Sequence, residues 1–250
     1  MGVRLACVEL GPVCPVHNVR SFQSMACGMT LIDPQSVPVL HTDGHLPALA
    51  RGQCQPEALR RRFASPLVWT PEIVSEPPLG LREPVDAAVL IAIVLREEPA
   101  VLLTQRSAQL ATHAGQIAFP GGRVDATDGS VVAAALREAH EEVGLPPSHV
   151  DILGCLPQYL TGTHYAVTPV VALVPPDWPY VPSPHEVTDV FEVPLAFLMN
   201  PANHHWHEAE YRGAMRRWLS MPYQDGRSQR YIWGATAGML RNLYGFLRLP

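Results

Sequence analysis

The chain has 250 residues, 47% of them hydrophobic, which is enough for one large domain or a domain with an arm and argues against general disorder. Its net charge of −5 does not suggest a nucleic-acid surface, and all 18 basic residues are arginine, which excludes a Walker-type phosphate loop and Schiff-base chemistry. The five cysteines form no C-x-x-C pair and fit reduced thiols in a cytoplasmic protein, not a disulfide framework or a zinc site. The longest apolar run, residues 87–95, is far short of the ~20 residues a membrane span needs, so no membrane partner is expected.

In residues 1–28, Glu9, Pro12 and Pro15 interrupt any signal-peptide core. That stretch reads as a disordered extension, with Met29 a candidate start. Residues 29–84 are Pro-rich and read as an irregular arm. Its best helix is 56–64, opened by Pro56. Arg60, Arg61 and Arg62 on that helix are either a solvated face or a phosphate contact.

The main domain is expected over 85–250. Residues 86–95 (DAAVLIAIVL) form a continuous apolar run, as a buried strand does. Glu97-Glu98-Pro99 makes a turn, and 101–106 (VLLTQR) returns as the partner strand. Residues 116–119 lead into Pro120-Gly121-Gly122, where glycine lets the backbone approach a ligand closely. A helix follows, with Asp128 or Ser130 as its cap and Gly144 suited to its C-terminal end.

Strands are expected at 150–156 and 165–174, then a Pro-rich loop at 175–185 and a strand ending at Val193. A short helix covers 195–199, and 204–223 has two strand-like halves around Arg212-Gly213. The best C-terminal helix is 236–247. His204, His205 and His207 lack the spacing of a zinc motif and read as surface or substrate-loop histidines. Trp206, Trp218 and Trp233 read as packing residues.

The chemistry concentrates in the helix that carries R-E-A-H-E-E, residues 137–142. At about 100° per residue, Glu138, Glu141 and Glu142 fall within an arc of about 100°. Val132, Leu136, Ala139 and Val143 fall on roughly the opposite side. Glu138 and Glu142 are like charges at i,i+4, a mildly destabilising arrangement that needs compensation. Hard divalent cations favour carboxylate oxygens and would supply it. The alternative is a solvated face with Arg137 pairing Glu141.

R-E-A-H-E-E-V-G-L behind a Gly-Gly loop resembles the Nudix box: Gly, five residues, Glu, seven residues, Arg-Glu-U-x-Glu-Glu-x-Gly-U, with U aliphatic. Arg137, Glu138, Ala139, Glu141, Glu142, Gly144 and Leu145 match the second half. The first half departs: the sixth residue after Gly122 is Asp128, not Glu, and eight residues separate it from Arg137. Upstream, L-L-T-Q-R-S and H-A-G-Q-I-A-F-P-G-G resemble the extra signature of coenzyme A diphosphatases within this family. Ala111 stands where that signature usually has Arg. The resemblance spans roughly residues 85–247.

The resemblance implies an α/β fold, the Nudix α/β/α sandwich around a mixed sheet. It implies Mg²⁺ or Mn²⁺ as cofactor, with Glu138, Glu141, Glu142 and the Gly121 carbonyl as ligands. Glu138 is alternatively the water-activating base, Arg137 holds a glutamate in position, and Glu186 is a later-loop carboxylate with Asp189 and Glu192 as rivals. Arg106, Gly122 and Arg123 are the substrate-binding candidates. The substrate implied is coenzyme A or a related nucleotide diphosphate. ADP-ribose, a dinucleotide, or a non-catalytic nucleotide-sensing module are the alternatives, and a homodimer is left open.

Overall fold

The computed structural model describes residues 33–65, 68–110, 112–211 and 213–249; the expectations for residues 1–28, Ala111 and Arg212 lie outside them. From Asp33 the chain forms a two-residue strand β1 (His41–Thr42) and then helix α1 (Pro56–Ala64), with Pro56 in its first turn. The apolar run becomes β2 (Val85–Val94), followed by β3 (Ala100–Arg106), β4 (Ile117–Ala118) and β5 (Gly121–Arg123). Helix α2 (Val131–Val143) starts where the Ser130 side chain accepts from the Ala133 amide, and stops at Gly144, which is left-handed at φ 70°. There follow β6 (Asp151–Cys155), β7 (Tyr159–Leu160), β8 (Tyr165–Val174), β9 (Val187–Pro194) and α3 (Leu195–Leu198). The chain closes with β10 (His205–Tyr211), β11 (Ala214–Asp225), β12 (Ser228–Trp233) and α4 (Gly234–Arg248).

Strands β2 and β8 lie parallel over their full length, from Val85 opposite Tyr165 to Val94 opposite Val174. They form the middle of a mixed eight-stranded sheet. The expected β2–β3 hairpin forms, but it is short. The two strands pair only beside their turn, at Ile93–Val101 and Val94–Ala100, and β3 then runs along β9. The reason is that β5 occupies the edge of β2 further back, pairing Gly121 with Val89 and Arg123 with Ala87. A second, antiparallel sheet has the order β1-β10-β11-β12.

Both faces of β2 are covered, which explains its unbroken apolar run. Ala88, Leu90, Ala92 and Val94 pack with Ala134, Ala135, Ala139 and Val143 of α2. Ile91 and Ile93 point the other way, into a core shared with Leu240, Leu243 and Leu247 of α4 and Leu59 of α1. The fold is α/β, a mixed sheet with helices on both faces. No helix among the described residues is long and apolar enough to cross a membrane.

The segment from Asp33 to Glu83 is bonded to α4. Arg241, buried in α4, meets Glu72 (Nε to Oε2, 2.8 Å) and Asp43 (Nη1 to Oδ2, 3.1 Å). Asn242 exchanges two hydrogen bonds with the Ile73 backbone, and the Tyr244 hydroxyl donates to the Pro47 carbonyl at 2.7 Å.

His204 and His207 are core residues, not surface ones. His204 Nε2 donates to the Leu198 carbonyl at 2.7 Å while Nδ1 accepts from Arg241 at 3.1 Å. Burial pushes its pKa down to about 4. His207 bonds the Ser220 hydroxyl through Nε2 and the Val37 carbonyl through Nδ1, and Trp218 stacks on its ring. The short spacing that invites a metal reading here serves backbone carbonyls instead.

Candidate active site

Helix α2 packs on β2 and β5, and this placement separates its three glutamates. Glu141 faces solvent, with 53% of its side chain exposed. Glu142 is 3% exposed and flanked by the core residues Ala139 and Val143, and Glu138 is partly buried. The polar face is therefore not simply opposite the apolar one, since Glu142 turns toward the sheet where β5 leaves room. Of the two glycines of β5, Gly122 makes room for Glu138 and Gly121 for the backbone of β2. A Cβ on Gly122 would overlap the Glu138 carboxylate, and a Cβ on Gly121 would lie 2.7 Å from the Val89 Cα and crowd the Ala88 carbonyl. The Gly121 amide donates to Glu142 Oε2 at 3.3 Å, so its contact with the site runs through N–H.

Arg137 holds several groups together. Its Nη1 lies 2.8 Å from Glu138 Oε1 and 3.0 Å from Glu141 Oε2, and its Nη2 donates to the Arg123 carbonyl at 3.0 Å. Its remaining edge binds Asp128 with two bonds of 3.0 Å, Nε to Oδ1 and Nη2 to Oδ2. Those bonds, with the Asp125 amide, hold the Asp128 carboxyl below its usual pKa. The Arg137–Glu141 pair of the solvated-face alternative is present, as one of five hydrogen bonds that Arg137 makes. Sequence reading missed Asp128 because one inserted residue shifts it out of the box spacing. The signal available was its place in the turn just ahead of the helix.

Burial pushes Glu142 up to about 7. Arg106, with Nη1 3.5 Å from Glu142 Oε1, and the Gly121 amide pull the other way, while the charges of Glu138 and Glu186 add to the rise. Glu138 is raised too, first by burial, then by Glu141 and Glu186 against the pull of Arg137. Glu186 is thus close enough to act on both. Its rivals are engaged elsewhere: Asp189 pairs with Arg230, and Glu192 accepts two bonds from Arg96. Arg123 sends its guanidinium to the Tyr165 hydroxyl at 3.1 Å and reaches Arg137 only through its carbonyl.

Among the described residues no three His, Cys, Asp or Glu side chains form a ready-made metal cluster. The donor chemistry nevertheless fits a hard divalent cation. The oxygens are carboxylate, Glu142 is buried and Glu138 partly so, and burial together with like-charged neighbours makes each of these two harder to ionise. A cation bound there would relieve that repulsion. Glu138, Glu141, Glu142 and Glu186 are the side chains that would hold it.

Residues 84–222 match the family model described as NUDIX domain. The chain is 53% identical over 166 residues to a Shigella flexneri protein described as "Uncharacterized Nudix hydrolase NudL", covering 65% of this chain and 84% of that one. It is 54% identical over 159 residues to an Escherichia coli protein of the same description, covering 63% of this chain and 80% of that one. A solved Ap4A hydrolase from C. elegans aligns at 23% identity with a TM-score of 0.39, over 47% of this chain and 85% of that chain. With the carboxylate helix, the Gly-Gly strand and the family match in agreement, the chain belongs to the Nudix family, as a hydrolase of nucleoside diphosphate-linked substrates.

Proposed function

We propose that this hydrolase cleaves the diphosphate of coenzyme A or its derivatives, giving 4′-phosphopantetheine and adenosine 3′,5′-bisphosphate, with Mg²⁺ or Mn²⁺ as cofactor. The observation that carries the reading is Arg106, the arginine of L-L-T-Q-R-S. Its guanidinium stands 3.5 Å from Glu142, and its Nε is buried without a hydrogen-bond acceptor. A buried donor left unpaired is costly, and a guanidinium can grip a phosphate through two parallel bonds. A phosphate of the substrate supplies the acceptor that the protein does not.

The chemistry follows from the carboxylates. When bound, the cation neutralises the diphosphate and acidifies water. Glu138, Glu141, Glu142 and Glu186 would hold it. Glu138 or Glu186 accepts the proton of the attacking water as its oxygen bonds to phosphorus and the bridging P–O bond breaks. Arg137 keeps Glu138 and Glu141 in place throughout. Gly122 leaves the Glu138 carboxylate the space it occupies.

The test is product analysis and kcat/KM for coenzyme A, dephospho-coenzyme A and ADP-ribose with Mg²⁺. Coenzyme A should be the best substrate, and Arg106→Ala should raise its KM. Ala111→Arg restores a basic residue that the signature normally has and should lower that KM. ADP-ribose preferred by the wild type would overturn the coenzyme A assignment and leave the hydrolase intact.

A further inference from the structure

Beyond the residues that match the family model, β12 carries Arg230, which reaches back toward the site. It touches both strands of the β3–β9 pair at the one place where their register breaks. Gln105 pairs with Asp189, but the next residue, Arg106, pairs with Val187, so Thr188 is extra. Such a bulge re-aims the residues beyond it. Here those residues are Arg106 at the end of β3 and Glu186 in the turn just before β9, two groups whose charges act oppositely on Glu142. Backbone contacts tie them to the bulge. The Ser107 amide donates to the Glu186 carbonyl at 2.8 Å, and the Thr188 hydroxyl donates to the Gln105 carbonyl at 3.1 Å.

Arg230 closes this arrangement from the second sheet. Nη1 donates to Gln105 Oε1 at 3.2 Å, Nη2 to Asp189 Oδ2 at 2.5 Å, and Nε to Asp225 Oδ2 at 3.1 Å. The guanidinium lies 4.2 Å from the centre of the Phe191 ring. Every nitrogen is engaged by the protein, so this arginine, unlike Arg106, has no nitrogen left over for a phosphate.

We propose that Arg230 is a positioning residue for the carboxylate site: by bonding Gln105 and Asp189 across the bulge, it sets the direction in which Arg106 and Glu186 leave the sheet. The inference rests on the reading that Glu138, Glu141, Glu142 and Glu186 hold a divalent cation. Lysine cannot replace the arginine, because an ammonium lacks the planar fork that reaches three acceptors at once.

The test is Mn²⁺ binding to the full chain, followed by electron paramagnetic resonance without nucleotide, in wild type, Arg230→Ala and Arg230→Lys. Hydrolysis as a function of Mg²⁺ and the melting temperature are measured beside it. Arg230→Ala should weaken Mn²⁺ binding about 10-fold or more, the scale of lost supporting contacts around a metal. It should also move the Mg²⁺ dependence of hydrolysis to higher concentration, with Arg230→Lys recovering only part of the loss. Wild-type Mn²⁺ affinity in folded Arg230→Ala overturns the proposal, even if its melting temperature falls, because that pattern is a structural role alone. A wild type that binds no Mn²⁺ overturns the cation reading and the proposal with it. If Arg230→Ala does not fold, Gln105→Ala and Asp189→Asn each remove one strand's contact and should each weaken Mn²⁺ binding. Unchanged affinity in both again overturns the proposal.

Discussion

Arg137 and Asp128 meet through two parallel hydrogen bonds of 3.0 Å, one from Nε and one from Nη2. This fork fixes the plane of the guanidinium, and the plane fixes where Nη1 meets Glu138 and Glu141. Asp128→Asn would set an amide NH₂ against one guanidinium nitrogen and break the fork. Activity should fall about 10- to 100-fold, as for other supporting residues around metal ligands, with a much smaller change in melting temperature. Steady-state kinetics with Mn²⁺ titration decides it. Wild-type turnover in the variant would show that Arg137 is held well enough without Asp128.

The neighbouring glycines should fail in different ways. A methyl on Gly122 meets the far end of the Glu138 side chain, which can swing away. A methyl on Gly121 meets the Ala88 and Val89 backbone of the central strand, which cannot. Gly122→Ala should keep its fold and lose activity. Gly121→Ala should lose stability, by about 1–3 kcal/mol or more on the scale of overpacked cores. Paired thermal melts and assays distinguish them, and an active Gly122→Ala enzyme would remove the spatial argument for Glu138.

Glu142→Gln should lower hydrolysis by orders of magnitude while leaving the metal-free protein equally stable or more so. Burial raises the Glu142 carboxyl from its ordinary 4.5 to about 7. Between those values the native state binds more protons than the unfolded state, so metal-free stability falls as pH rises through the window. Above pH 7 the full cost is present, on the order of 3 kcal/mol. The glutamine variant should lose that slope. Denaturant melts at pH 5 and pH 8 with chelator present provide the check, and near-normal turnover at saturating Mg²⁺ would end the case for Glu142 as a ligand.

His204 gives a slope of the opposite sign. Its pKa is about 4 in the fold against 6.5 when free, because burial disfavours the charged ring and the Arg241 guanidinium at its Nδ1 adds to the effect. The unfolded chain binds the extra proton between those values. Stability is therefore complete above pH 6.5 and is lost as pH falls toward 4, by about 3 kcal/mol. His204→Gln should flatten that stretch of the stability profile. An unchanged profile would assign the loss to other groups.

The elements that were legible in the sequence were those specified by local pattern. The run at 87–95 is apolar at every position because both of its faces are buried, and Ser130 and Gly144 mark the ends of α2 by their own chemistry. Strands β1, β7 and β12 were not legible. The first two have two residues each, and β12 exists because β11 lies beside it. The pairing of β3 with β9 has no local signature, since Leu103 meets Phe191 from far along the chain. At the site, the glutamates could be read from their spacing. That Glu142 is buried while Glu141 is exposed depends on how α2 packs on β2 and β5, and the spacing alone cannot show it. The buried histidines were misread for a related reason: their partners, Leu198, Val37 and Ser220, are contributed by other segments.

The network around Arg241 bears on how the chain acquires its structure during synthesis. The Glu72 carboxylate precedes its guanidinium partner by 169 residues, and the Pro47 carbonyl precedes the Tyr244 hydroxyl by 197. The parallel β2–β8 pair also joins distant segments, and such non-local topology folds slowly. On the ribosome, the segment carrying Asp43, Pro47 and Glu72 emerges long before α4, which holds their partners. The bonds that Arg241 and Tyr244 make to these early residues can therefore form only once the last helix is available.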